Sequence, residues 1–346
     1  MSWSYRAPWW LPGGQAQTIY SALWARTHEQ PEPAWHRERW DTPDQDFIDV
    51  DWLSDIASPS HNNTLIPSTN PSIDSRAAGA ESVGVLCVLF HGLEGSSRSH
   101  YALAWADQAR QWRWRLAVPH FRGCSGEPNR APRAYHSGDF EEVGWILQRI
   151  RSEHAGPLLA VGVSLGGNAL MRWAQEAGEM ARHTVDAVVS VGSPLDLTAS
   201  GHAIGRGFNR RVYTPMFLRT MKPRAMTKLA QYPGLFDREA LLRARDLYEF
   251  DNLFTAPLHG FNDVQDYWRR ASSAPHFGQV RVPALVINAL NDPFVPASSL
   301  PGPHQVSDCV TLWRPAHGGH VGFAAGVFPG DVRGLPQAIG DWFRAL

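Results

Sequence analysis

From residue 85 onward, short apolar runs alternate with stretches in which apolar positions recur every three or four residues. The short runs are Val85–Phe90, Leu116–Val118, Leu158–Val163, Ala187–Val191, Ala284–Asn288 and Val310–Trp313. Continuous apolar runs of this length predict strands buried on both faces. Helical spacing falls at His100–Gln111, Phe140–Glu153, Leu165–Ala177 and Leu335–Leu346. Strands alternating with helices predict an α/β fold, a mostly parallel sheet covered by helices on both faces. Upstream, Arg37 to Trp52 alternates apolar and polar residues around Thr42-Pro43-Asp44, the pattern of a β-hairpin.

The alternation breaks twice. Between Ser54 and Glu81 the chain is rich in Ser, Asn, Pro and Ala without periodicity, which predicts a long surface loop. Between Leu197 and Ser273 it turns helical and loop-rich, and the strand–helix alternation then resumes. An excursion between two core strands predicts an inserted helical cap over the strand ends, where open α/β sheets bind their ligands. The expected organisation is an N-terminal segment, 1–84, packed on a core of 85–196 and 274–346, with the cap at 197–273.

Composition narrows the class without naming a chemistry. A chain of 346 residues with 43% hydrophobic and 19% charged content is an ordinary globular one. Its net charge of −1 gives no general attraction to nucleic acid, and none is expected as a partner. Cys87, Cys124 and Cys309 leave one unpaired in any pairing and show no C-x-x-C spacing, which suits a reducing compartment. Fifteen histidines include no H-E-x-x-H, so no metal or other cofactor is expected. The start of the chain lacks the continuous apolar segment of a signal peptide, and no stretch reaches membrane-spanning length. The expectation is a cytoplasmic protein. Trp3, Tyr5, Trp9 and Trp10 are expected to pack across the back of the core rather than touch a membrane.

Candidate chemistry begins at Gly162-Val163-Ser164-Leu165-Gly166, which follows one apolar run and opens a helical pattern. A serine between glycines at a strand-to-helix turn can be held in a strained backbone with its hydroxyl exposed. The motif is short, so its context decides. A nucleophilic serine needs a base, and Ala316-His317-Gly318-Gly319-His320-Val321 offers two histidines after the last strand. The base needs an orienting carboxylate. Asp292, just past a strand, is one candidate, although Asn291-Asp292-Pro293 also forms a good turn; Asp196, after an earlier strand, is the rival. A developing oxyanion needs backbone N–H donors. Those of Leu93, in His91-Gly92-Leu93-Glu94-Gly95, and Leu165, at the helix start, are the expected pair. The glycines near Leu93 do not form a phosphate loop, because neither G-x-G-x-x-G nor a Walker lysine occurs. A second serine, in Arg122-Gly123-Cys124-Ser125-Gly126, reads as a structural turn. Tyr135 to Asp139 reads as a helix entry with Ser137 or Asp139 as cap.

Seven segments together resemble the YheT-like branch of the α/β-hydrolase superfamily. They are Gln17–Tyr20, His91–Ser97, Phe121–Arg130, Tyr135–Asp139, Gly162–Asn168, and the pair Thr255–Phe261 with Gly318–Phe323. The likeness runs over nearly the whole chain. It implies Ser164 as nucleophile, Asp292 as acid and His320, rather than His317, as base. It also implies hydrolysis of short- or medium-chain carboxylic esters, acylglycerols or phospholipids. Some fungal relatives resemble acyl-CoA:alcohol acyltransferases, which leaves an alcohol acceptor as the alternative to water. A non-enzymatic scaffold on the same fold is the second alternative, and the intact Ser/Asp/His set argues against it. The chain departs from the family pattern in the length of its 54–81 loop and in Tyr267-Trp268, where Tyr-Tyr is common.

Charge adds one expectation. Between Arg206 and Arg245, ten basic residues face only Asp237 and Glu239, a local excess of +8. Besides a small acyl ester as substrate, this predicts peripheral contact with an anionic partner: a lipid headgroup, the phosphates of an acyl-CoA or a membrane surface. The competing reading is a solvated helix surface balanced by acidic neighbours. Oligomeric state is not legible.

Overall fold

The computed structural model describes residues 3–54 and 83–346. Eight strands form one sheet: β1 (Trp35–Asp41), β2 (Phe47–Leu53), β3 (Leu86–Phe90), β4 (Arg115–Pro119), β5 (Leu158–Val163), β6 (Ala187–Val191), β7 (Ala284–Ile287) and β8 (Val310–Trp313). Their spatial order is β1-β2-β4-β3-β5-β6-β7-β8, with the first three in antiparallel contact and the rest parallel. The expected hairpin is β1–β2, in register from Trp35 opposite Leu53 to Asp41 opposite Phe47. Of the expected 54–81 loop, all but Ser54 lies outside the described residues.

The six apolar runs are the six parallel strands, and the alternation of their side chains explains the two layers. In β3, Leu86, Val88 and Phe90 face one core while Cys87 and Leu89 face the other. The first core is closed by α3 (Phe140–Glu153) and α4 (Leu165–Ala177), through Val143, Ile146, Leu147, Ala169 and Leu170. The second is closed by α2 (His100–Trp112) and α12 (Gly334–Arg344), through Trp105, Ala106, Leu335 and Ile339. Each fully buried Val, Leu or Ile among them contributes about 1.5–3 kcal/mol relative to exposure. Trp3 and Tyr5 pack on Phe323, whereas Trp9 stands almost fully in solvent.

Two elements frame the strand ends. One is α1 (Gly13–Leu23), a helix whose buried residues are the polar Gln17, Thr18 and Ser21. The other is the excursion between β6 and β7. After the short α5 (Ala181–Thr184) and β6, the chain runs through α6 (Leu197–Ile204), α7 (Gly207–Gln231), α8 (Arg238–Arg243), α9 (Leu247–Phe250), α10 (Ala256–Leu258) and α11 (Val264–Ala271). Its own apolar clusters, around Trp268 and around Leu218 and Phe250, are separate from the two sheet cores.

The α3 entry differs in detail from expectation. Asp139 occupies the N-cap position but makes no capping bond. Both of its carboxylate oxygens accept instead from Arg133, at 2.7 and 2.8 Å. A guanidinium partner is the stronger attraction for a buried carboxylate.

Candidate active site

Ser164 sits between β5 and α4 with φ 51° and ψ −119°, a conformation that side chains other than glycine rarely adopt. The crossing that forces it needs the two flanking glycines. A Cβ on Gly162 would come to 2.5 Å from the Gly166 carbonyl oxygen, and one on Gly166 to 2.5 Å from that of His91. The serine amide donates to Val191 O at 2.8 Å, which ties the turn to the end of β6.

His320 lies in the loop after β8. Its Nε2 is 3.0 Å from Ser164 Oγ, and its Nδ1 is 2.9 Å from Asp292 Oδ2. With the proton on Nδ1 facing the carboxylate, Nε2 is left to accept the serine hydroxyl. The other oxygen of Asp292 accepts from the amides of Phe294 and Val295, at 2.7 and 3.2 Å. The Asp292 side chain is fully buried and the imidazole is 12% exposed, so the pair is held in a low-dielectric pocket. Relayed this way, a serine hydroxyl can pass its proton to the imidazole as it attacks a carbonyl.

The rival residues stand elsewhere. His317 is exposed and its ring meets the Asn291 side chain, at 3.4 Å. Asp196 caps α6, accepting from the Ala199 amide at 3.0 Å. In the Arg122–Gly126 turn, Arg122 is buried and bonds Asp44, Asp46 and Glu142, and the Ser125 backbone carbonyl accepts from Arg37.

The loop after β3 approaches Ser164 closely, since a Cβ on Gly92 would stand 3.2 Å from Ser164 Cβ. His91 Nδ1 donates to Gly92 O at 2.8 Å, and the Gly95 amide donates to the same carbonyl at 3.0 Å. Those bonds fix the Gly92–Leu93 peptide. Because a trans peptide sets C=O and N–H on opposite sides, they also fix the direction of the Leu93 amide. Leu165 is the first residue of α4, so its amide lies at the positive end of that helix. Neither amide donates to another protein group among the described residues. The His91 Nε2 accepts from the Phe121 amide at 3.0 Å. Burial, reinforced by nearby His120, pushes His91 down to about 3, which keeps the ring neutral and this bond intact.

Several supports were not legible beforehand. Thr18 Oγ1 accepts from the His320 amide at 2.8 Å, and Gln17 Oε1 accepts from Gly318 N and Asn291 Nδ2 at 2.8 and 2.9 Å. Half-buried His100, pushed down to about 4 by desolvation, donates to Val321 O at 3.2 Å beside the imidazole. Gln17-Thr18 is a recognisable segment of the sequence, but nothing in its pattern announces these partners.

A cavity of about 800 Å³ opens over Ser164 and His320. Its apolar wall comes from the excursion, chiefly Met216, Phe217, Met221, Phe250, Phe254 and Trp268. Asp251 interrupts that wall. It accepts from Thr255 Oγ1 and Trp268 Nε1 at 2.7 and 2.9 Å, and burial raises it to about 6.

Comparison with known proteins agrees with this architecture. The alpha/beta hydrolase fold family matches residues 86–326. YheT of Escherichia coli (strain K12) is 38% identical over 315 residues, covering 90% of this chain and 84% of its own. Human phospholipase ABHD3 is 25% identical over 97% of this chain and 78% of its own. Monoacylglycerol lipase of Saccharomyces cerevisiae is 26% identical over 73% of this chain and 58% of its own. Among solved structures, the Pyrococcus furiosus esterase Pf2001 superposes with a TM-score of 0.52 at 13% identity, covering 90% of this chain and 93% of that one. The chain is an α/β hydrolase and belongs to the YheT-like branch of that superfamily.

Proposed function

We propose that the protein hydrolyses carboxylic esters with short or medium acyl chains through an acyl-serine intermediate. The observation that carries this reading is the continuous relay Ser164–His320–Asp292 at the wall of an apolar cavity. Ser164 Oγ attacks the ester carbonyl while His320 Nε2 takes its proton. The oxyanion accepts from the amides of Leu93 and Leu165, and Asp292 stabilises the imidazolium. His320 then gives the proton to the departing alkoxide. Water attacks the acyl-serine with the same base, and the acid and free serine leave the cycle closed.

The names of the relatives, a phospholipase and a monoacylglycerol lipase, support amphiphilic esters as the substrate class. A cavity of 800 Å³ is in the range that encloses a drug-sized ligand. Residues 197–273 act in this reading as the cap that holds the acyl chain. The test is a panel of soluble esters, acylglycerols and acyl-CoAs, with and without added alcohol, together with a fluorophosphonate probe. Wild type should label and turn over esters, while Ser164→Ala should lose labelling and about 10⁶-fold of turnover. Undiminished labelling of the variant would remove the assignment. New ester formed with the added alcohol, in place of free acid, would make the protein an acyltransferase.

A further inference from the structure

We propose that the mouth of the cavity is a lipid-docking face, formed by one stripe of α7 and the end of α1, that seats on an anionic membrane surface. The proposal deepens the ester-hydrolase reading by naming the phase from which the substrate is drawn.

Phe208, Val212 and Met216 follow one another at four-residue spacing, so they share one side of α7. They are 50%, 39% and 53% exposed, while Tyr213, Leu218 and Ala225 bury another side of the helix. At the end of α1, Leu23 and Trp24 are 65% and 61% exposed. The two helices are joined: Tyr213 Oη donates to Gln15 Oε1, and Gln15 Nε2 donates to Asn209 Oδ1, both at 2.8 Å. Leu23, Val212 and Met216 also line the cavity. Side chains that are both exposed and lining mark where it opens. Large apolar groups gathered at such an opening imply a second apolar phase that meets them.

The charges on α7 select which phase. Residues 206–231 contain seven basic side chains and no acidic one. Three of the seven turn inward to fixed partners. Lys222 donates to the carbonyls of Leu242 and Ala244, Lys228 to those of Asn129 and Ala131, and Arg224 pairs with Glu94. Arg206, Arg210, Arg211 and Arg219 are exposed, and none has an ion-pair partner among the described residues. An apolar stripe flanked by free arginines on one helix matches an anionic lipid interface, where rings and methyl groups enter the headgroup boundary and guanidinium groups meet phosphate. A second copy of the chain fits less well, because a self-paired face would bring both sets of arginines together. Seated this way, an amphiphilic ester passes from the lipid surface into the cavity without crossing water.

The test is flotation of the protein with vesicles of phosphatidylcholine containing about 30% phosphatidylglycerol, against phosphatidylcholine alone. Wild type should bind the anionic vesicles about tenfold or more tightly, and added salt should weaken that binding. Phe208→Gln alone, and Arg210→Gln, Arg211→Gln and Arg219→Gln together, should each weaken it by about tenfold or more. Neither change touches the cavity lining, so turnover of a short water-soluble ester should be unchanged. Ser164→Ala should bind vesicles like wild type, which lets docking succeed or fail independently of the hydrolase reading. No binding to anionic vesicles, or binding indifferent to both changes, overturns the proposal. So does a dimer in sedimentation that Phe208→Gln dissociates, which would give the face to a second copy.

Discussion

Arg224 of α7 and Glu94 of the loop after β3 form an ion pair at 3.2 Å, which ties the excursion between β6 and β7 to the residue following Leu93. Glu94 has a positive φ of 58°, and its amide donates to Tyr135 Oη at 2.9 Å. The guanidinium also reaches Cys124 Sγ at 2.8 Å, and burial pushes that thiol up to about 12, so it remains protonated. The long helix therefore grips the loop whose Leu93 amide is assigned to the oxyanion.

Loosening that grip should cost rate more than fold. Removing an oxyanion donor outright costs about 10²–10³ in turnover, so a donor merely misdirected should cost about tenfold. Arg224→Gln is expected to lower kcat by that much on a short soluble ester, with the thermal midpoint nearly unmoved. The double variant with Glu94→Gln should lose little more than either single change, because both break one pair. Additive losses would mean that the two residues act separately.

The two carboxylates that compete in the sequence should separate cleanly in kinetics. Asp292→Asn is expected to cost on the order of 10⁴ in turnover, by favouring the wrong imidazole tautomer. Asp196→Asn should leave the rate intact, since that side chain only caps α6. Likewise His320→Ala should abolish turnover and His317→Ala should spare it. Steady-state kinetics on the four variants decides, and the reverse ranking would relocate the acid or the base.

Thr18→Val removes the acceptor of the His320 amide while keeping the side chain's shape. A buried donor left without a partner costs about 1–3 kcal/mol. The expectation is a lower kcat with an unchanged KM, read on a soluble ester. A change in KM alone would place Thr18 in substrate binding instead.

Acid should weaken the fold through His91, whose buried ring is held down to about 3. In the unfolded chain a histidine binds its proton near pH 6.5, so below that value the unfolded state takes up a proton that the folded state refuses. This contribution is complete above about pH 6.5 and is lost as pH falls toward 3, at about 1.4 kcal/mol per pH unit. Urea unfolding of wild type and His91→Gln at pH 7 and pH 5 should therefore differ in their pH dependence by about 2 kcal/mol. Comparing the two cancels opposing groups such as buried Glu142, which desolvation and Asp139 raise to about 7. Parallel curves would show that His91 titrates normally.

The parallel strands and the Ser164 turn were legible because each rests on local rules: apolar runs for buried strands, and glycines where a Cβ has no room. Even the helical character of the excursion showed, since no strand pattern interrupts 197–273. What stayed hidden is set by distant partners. No apolar stripe announces α1, because its buried face is Gln17, Thr18 and Ser21, the first two bonded to loops about 300 residues away. The local excess of basic residues was visible, but not that Lys222, Arg224 and Lys228 spend theirs inside the fold. Phe208, Val212 and Met216 resemble a core-facing stripe in sequence, and only the fold shows that nothing covers them among the described residues.

The contacts of α1 with the Asp292 and His320 loops also bear on how the polypeptide is made. Gln17 and Thr18 leave the ribosome 301 and 302 residues before their partners Gly318 and His320. Contacts so far apart in sequence form late, after local structure has closed the intervening loops. A nascent chain not yet made as far as residue 320 carries Ser164 without the proposed base, so on the proposed mechanism it does not turn over esters. On the proposed mechanism, ester turnover begins only once the 318–320 loop has emerged and α1 has closed over it, so its onset would report that the two distant segments have met.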